Sequence, residues 1–225
     1  MDTQALLLTI RLAITTTLVL LVIALPLASW IAFSRARWKA LVEATVALPL
    51  VLPPTVLGFY LLIALGPTTA LGRWITHLIG HPLAFSFTGL VVGSVLYSLP
   101  FAVQPLVAGF AAVPAEILDA AAILGAGPLR ILLRVVLPLA RAAVLTSAVL
   151  SFTHTVGEFG VVLMLGGNIP GVTRTLSISL YDQVQDFQYG QANRTAFALV
   201  LISFLSLVAI YARRPAGKED RGRIV

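Results

Sequence analysis

From Leu12 to Ser34 the chain runs for 23 residues without a charged side chain. At about 1.5 Å per residue, a helix of that length crosses the roughly 30 Å hydrocarbon core of a bilayer. The run belongs to a 225-residue chain that is 59% hydrophobic and 11% charged, with a mean hydropathy of +0.98. A soluble domain carries about 25% charged residues and could not cover its surface with so few. Composition therefore points to lipid. Cysteine is absent, which excludes a disulfide framework and thiolate metal or redox chemistry.

Four further charge-poor stretches place spans at about 45–66, 85–111, 142–165 and 195–212, beside the first at 12–34. The expectation is a single-domain, all-α integral membrane protein with about five transmembrane helices. Pro49, Pro53 and Pro54 each remove a backbone donor or clash with a preceding carbonyl, so the second span is expected to be broken or kinked. The stretch Thr76–Pro82 reads as a loop. Arg35, Arg37 and Lys39 follow the first span, Arg130, Arg134 and Arg141 lie between the third and fourth, and five more basic residues follow the fifth. These segments hold eleven of the fifteen Lys and Arg residues. The positive-inside rule then puts the N-terminus outside and the C-terminus in the cytoplasm. The first span is longer than a signal-peptide core and its basic cluster comes after it, so it reads as an uncleaved signal anchor. The tail Arg213–Arg223 has no interleaved aromatic residue and is read as an anchor on the inner leaflet, not a nucleic-acid site.

The segment 113–140 lies on the expected cytoplasmic side. Pro114 suits the first turn of a helix, and Glu116 and Asp119 suit its positive end. Gly125, Ala126 and Gly127 interrupt it, and Pro128 can start a second helix ending near Pro138. Small residues at Ala120, Ala121 and Gly125 permit close approach of another surface, while an Ala-rich helix lying in the membrane interface fits the same residues. The order Asp119-Ala120-Ala121, three residues, Gly125, nine residues, then Val135-Val136-Leu137-Pro138 resembles the Glu-Ala-Ala loop of the membrane subunits of bacterial ABC importers. Asp replaces Glu and Val replaces Ile, with the spacing kept. The resemblance implies a type I importer permease whose loop docks on an ATP-hydrolysing subunit through Asp119, Ala120, Ala121, Gly125, Leu137 and Pro138. Nothing in the chain resembles a Walker phosphate loop, so ATP and Mg are expected on two partner ATPase subunits and no cofactor or metal on this chain.

Ala47–Gly58, Thr155–Gly160 and the run from Gly167 to Leu176 together resemble the molybdate permease subunits, relatives of the sulfate/thiosulfate permeases, from about Thr15 to Phe204. This implies import of molybdate across a bacterial inner membrane by a homodimer served by a periplasmic molybdate-binding protein, with sulfate, thiosulfate or tungstate as alternative cargo. A tight site would trap the ion, so the passage should bind weakly. Pathway or gate candidates are Ser151, Thr153, Thr155, Gly157 and Glu158. Hydroxyls in spans also bond back to their own helix carbonyls, and that reading stays open for each. An ionisable residue at the edge of a span is a functional candidate. A carboxylate repels a dianion, so Glu158 is expected in a structural or gating ion pair with His154, four residues earlier, reaching Arg174 or the partner subunit. The glycine-containing loop from Gly166 to Arg194 is expected to turn on the outer face, touch the binding protein and form the outer gate. A membrane enzyme using His154 and Glu158 is disfavoured, because no metal-ligand spacing accompanies them. A passive channel would have no use for the docking loop.

Overall fold

The computed structural model describes residues 2–212; the basic tail Arg213–Arg223 lies outside them. Among the described residues there is helix and no strand: α1 Thr3–Phe33, α2 Lys39–Val51, α3 Pro54–Leu65, α4 Ala70–Ile79, α5 Phe87–Ala111, α6 Ala115–Ile123, α7 Pro128–Leu139, α8 Arg141–Gly157, α9 Gly160–Gly166, α10 Leu176–Gln185 and α11 Tyr189–Tyr211. Helices α1, α5 and α11 are each long and apolar enough to cross a membrane. Two bent pairs, α2 with α3 at 111° and α7 with α8 at 80°, raise the possible spans to five.

Helix α1 buries Leu8, Leu12, Thr16, Leu20, Ala24, Ala28 and Ile31, one residue per turn on a single face. That face packs along α5, with Leu12 beside Leu90 at one end and Leu20–Ile31 against Ala102, Leu106 and Phe110 at the other. In lipid no hydrophobic drive holds helices together, so small residues such as Ala24, Ala28 and Ala102 matter here because they let backbones approach. The helix starts nine residues before the charge-free run. Asp2 caps it by accepting from the Ala5 N–H at 3.0 Å, and the Arg11 guanidinium sits 4.4 Å over the Phe87 ring, which lets one charge ride on the helix.

Three expectations change. The stretch read as a loop at Thr76–Pro82 begins inside α4, which Thr69 caps through the Gly72 N–H at 2.9 Å and Gly80 ends with φ +81°. The outer loop from Gly166 to Arg194 contains α10, capped by Thr175. The apolar run 142–165 is two helices, because the backbone turns extended at Glu158 (φ −65°, ψ 132°) before α9 begins.

Candidate functional site

Two helix breaks meet inside the molecule. In the first, α2 ends at Val51 and Pro53 is extended (φ −56°, ψ 134°), with Pro54 opening α3. Pro49 is accommodated within α2, so the break falls only where two prolines adjoin. The second break runs through Glu158 and Phe159 between α8 and α9. A Cβ on Gly160 would lie 2.7 Å from the Pro54 Cβ and 3.2 Å from the Thr55 nitrogen. Only a residue without a side chain lets the two breaks touch.

Beside this contact a cavity of about 460 Å³ is lined by Pro54 and Thr55, by Tyr97 of α5, and by Thr153, His154, Gly157, Glu158, Phe159 and Gly160. The positive N-terminal end of α3 and the negative C-terminal end of α8 both open on it, and it has no Lys or Arg in its wall. Irregular backbone at membrane depth is tolerated where it is buried in protein or lines a cavity, and both breaks meet that condition.

Glu158 is 3% exposed. Its backbone carbonyl accepts from the Ser177 hydroxyl at 2.5 Å, while its buried carboxyl has the buried Ser94 hydroxyl beside it, without a hydrogen bond of standard length between them. The expected pairing with His154 does not form. Helix α8 ends at Gly157, so the four-residue spacing no longer places the two side chains on one face. His154 instead contacts the Ser98 hydroxyl at 2.8 Å through Nδ1 and stacks on Phe101 at 4.0 Å between ring centroids. Thr155 donates to the Ser151 carbonyl at 2.9 Å and lies 3.2 Å from Ser98. With the Thr155 proton spent on Ser151, full satisfaction has Ser98 donate to Thr155 and His154 Nδ1–H donate to Ser98. Nε2 of His154 is then an acceptor.

Of the pathway candidates, Thr153, Gly157 and Glu158 line the cavity. Ser151 and Thr153 carry buried hydroxyls without partners; Thr155 is tied to its own helix. Pro54, Thr55 and Tyr97 were not singled out from the sequence as lining residues, because nothing local ties positions 54 and 97 to 158. Arg174 also does not reach Glu158. Its Nε donates to Asn168 Oδ1 at 2.6 Å and its terminal nitrogen lies 3.8 Å from Asp182, while the Asn168 amide donates to Asp182 at 2.7 Å. This trio borders a separate polar cavity of about 460 Å³ with Asp2, Gln183 and Asp186.

The segment 113–140 is different in kind. Helix α6 has no buried residue. It ends with Gly125 N–H donating to Ala122 O at 2.9 Å and Ala126 N–H to Ala121 O at 3.0 Å, with Gly125 at φ +79°. This is a Schellman cap, in which glycine takes the left-handed position at no steric cost. A glycine four residues after Ala121 thus follows from backbone geometry. Asp119 and Ala120 are exposed and Ala121 half-buried. Ile123 and Leu124 are each 86% exposed, with Leu129 nearby at 67%. Ile123 and Leu129, large apolar residues flanking the glycine turn, were not singled out from the sequence. Leu137 packs on the core while Pro138 is exposed. A π turn at Leu132–Val136 ends two residues before Pro138 and widens the helix where proline removes a backbone donor.

The model of the binding-protein-dependent transport system inner membrane component family matches residues 21–214. The chain belongs to this family. It is accordingly an inner-membrane component of a transport system, with helices able to span that membrane. Among its relatives, the molybdenum transport system permease protein ModB of Azotobacter vinelandii is 52% identical over 214 residues, covering 95% of this chain and 94% of that one. The protein of the same name from Mycobacterium tuberculosis is 36% identical over 96% of this chain and 81% of its own, and that from Escherichia coli K12 is 32% identical over 82% and 81%. The relatives are named as transport permeases, not as enzymes. The fold resembles a chain of the inward-facing MetNI methionine ABC transporter, with a TM-score of 0.74 at 17% identity, covering 94% of this chain and 93% of that one. It also resembles, at a TM-score of 0.61 and 17% identity, a bacterial ABC transporter that imports alginate, covering 90% and 76%.

Proposed function

We propose that this chain is the membrane-spanning permease subunit of an ABC importer that carries molybdate into the cytoplasm. The observation that carries the reading is the 52% identity, over nearly the full length of both chains, to a molybdenum transport permease. The two touching helix breaks support a passage at membrane depth: discontinuous helices in transporters bring half-helix ends to a substrate route. Its wall suits a weakly held, hydrated anion. Glu158, the acceptor nitrogen of His154 and the absence of Lys or Arg give a dianion no tight seat, and a tight seat would stop conduction.

In this proposal α1, the α2–α3 pair, α5, the α8–α9 pair and α11 are the five spans, and the N-terminus is periplasmic. Two copies assemble with two ATPase subunits that hold ATP and Mg, and a periplasmic molybdate-binding protein delivers the cargo. No metal or cofactor is assigned to this chain. The docking surface comprises Asp119, Ala120, Ala121, Gly125, Leu137 and Pro138, to which we add Ile123, Leu124 and Leu129. Pathway or gate residues are Ser151, Thr153, Gly157 and Glu158, with Thr155 holding its helix. The test is ATP-dependent uptake of labelled molybdate by the assembled complex in proteoliposomes, with sulfate and tungstate as competitors. Uptake that needs both ATP and the binding protein, and that excess sulfate leaves intact, is expected. Uptake abolished by equimolar sulfate would move the cargo to the sulfate class, and ATP-independent uptake would overturn the importer itself.

A further inference from the structure

Away from both regions, an apolar groove of about 330 Å³ lies between the end of α1, the start of α2 and the second half of α5. Ile31, Val46, Val103 and Val107 form its walls, and Glu43 and Gln104 are its polar members. The link from α1 to α2 joins the two helix ends that bound it and makes its own hydrogen bonds. The Ser34 hydroxyl accepts from the Ala36 N–H at 3.1 Å, the Lys39 N–H donates to Ala36 O at 3.1 Å, and the Trp30 and Trp38 rings lie 4.5 Å apart. Trp38 is 58% exposed. Arg35 and Arg37 are exposed on this link. Lys39 is 3.8 Å from Glu43, so its charge is met, whereas no carboxylate among the described residues forms an ion pair with either arginine.

We propose that this groove binds one glycerophospholipid with an anionic headgroup, its acyl chain against Ile31, Val46, Val103 and Val107 and its phosphate at Arg35 and Arg37. The proposal rests on the reading that α1 and α2 lie in the bilayer, and is independent of the cargo. An apolar slot between two helices whose connecting link carries two arginines outside any ion pair and an exposed indole matches the make-up of a lipid, apolar tail with charged headgroup. Arginine forks suit phosphate oxygens. A second copy of the chain is a poorer occupant. With nine acidic residues against fifteen basic ones, it has no surplus of carboxylates to meet the arginines.

Each basic residue near an anionic surface contributes about fivefold in affinity, so the pair should contribute about 25-fold. The experiment is native mass spectrometry of the intact transporter released from mixed phosphatidylglycerol and phosphatidylcholine membranes. One phosphatidylglycerol retained per permease chain is expected, with retention reduced at least tenfold in R35Q/R37Q and by filling the groove in V107W. The arginine variant changes only exposed side chains, so its assembly with the ATPase should persist even where V107W fails to fold. Equal retention of the two lipids, or selectivity that survives R35Q/R37Q, would overturn the proposal. So would a disulfide joining two permease chains through V46C, which would place a second copy in the groove. Uptake of labelled molybdate is scored separately, so failure here leaves the cargo reading standing.

Discussion

The segment 113–140, proposed as the docking surface, and the touching breaks at Pro53–Pro54 and Glu158–Phe159 are built by opposite means. In the first, local sequence sets the exposed half: a proline start, a glycine cap and exposed apolar side chains on a helix with no fully buried residue, anchored to the core through Leu118. In the second, groups some hundred residues apart in sequence are held in contact by packing, and one glycine fits where a single carbon would collide. The difference teaches where each region can fail. A surface proposed to meet another protein can lose its partner and leave the fold intact. The proposed passage cannot be altered at its internal contact without disturbing the fold that makes it.

That contrast is broken or sharpened first by a pair of glycine substitutions. Gly160→Leu would drive carbon into the Pro54 ring and the Thr55 backbone, neither of which is a flexible side-chain end. Overpacking of this kind costs about 1–3 kcal/mol or more, so little folded permease should be recovered in detergent. Gly125→Trp meets no atom within 4 Å of its Cβ. It bears only the strain of the left-handed backbone, about 1–2 kcal/mol, and should yield inserted protein whose ATP-dependent uptake is at background. Folded, active Gly160→Leu would erase the distinction, as would an unfolded Gly125→Trp.

The next effect isolates the docking surface without touching its backbone. Ile123→Ser with Leu124→Ser removes two exposed apolar side chains. Exposed substitutions of this type change stability within about 0.5 kcal/mol, so thermal unfolding of the permease should not move. Co-purification with the ATPase should fall at least tenfold. Unchanged ATPase binding would remove these residues from the interface.

The third concerns the passage. Glu158 has no cationic partner among the described residues, so Glu158→Gln breaks no ion pair within them. It keeps the shape of the side chain, and the Ser177 contact is to the backbone. Assembly is expected to remain normal while uptake falls about tenfold. Misassembly would make Glu158 a structural residue and move the gate elsewhere.

The same division explains what could be read from the sequence. Charge-free runs located the long helices because burial in lipid excludes charges, and the Asp119–Pro138 spacing was readable because a helix cap is a local rule. The first span was started at Leu12, after Arg11, because the Phe87 ring that meets this charge is far off in sequence. Helix α10 was missed because it is short, and its Thr175 cap and apolar Leu176–Ile178 turn sit within a polar loop. The pairing of His154 with Glu158 assumed that α8 continues; Gly157 and Gly160 are the breaker signals that mark its end. The cavity was the least legible feature, since Tyr97 and Thr55 face Glu158 only once α3, α5 and α8 are packed.

The smallest expected effect tests that packing directly. Ser98 joins α5 to α8 by meeting His154 Nδ1 at 2.8 Å and Thr155 Oγ1 at 3.2 Å. Interhelical hydrogen bonds within membranes average about 0.6 kcal/mol and reach about 1.7. Ser98→Ala should therefore lower stability by about that amount and leave the fold and ATPase binding unchanged. Its other consequence lies in the cavity. With the Ser98 hydroxyl gone, His154 Nδ1–H loses its acceptor, and the tautomer that leaves Nε2 as the acceptor is no longer fixed. A wall that had only acceptors at this point then gains a donor in the other tautomer, and an oxyanion is held longer. Uptake by Ser98→Ala should accordingly show a lower KM for the delivered anion with a reduced maximal rate, whereas a purely structural bond would lower the rate alone. A rate that falls with KM unchanged would assign Ser98 to packing, and the passage would then owe its weak binding to Glu158 and the helix ends.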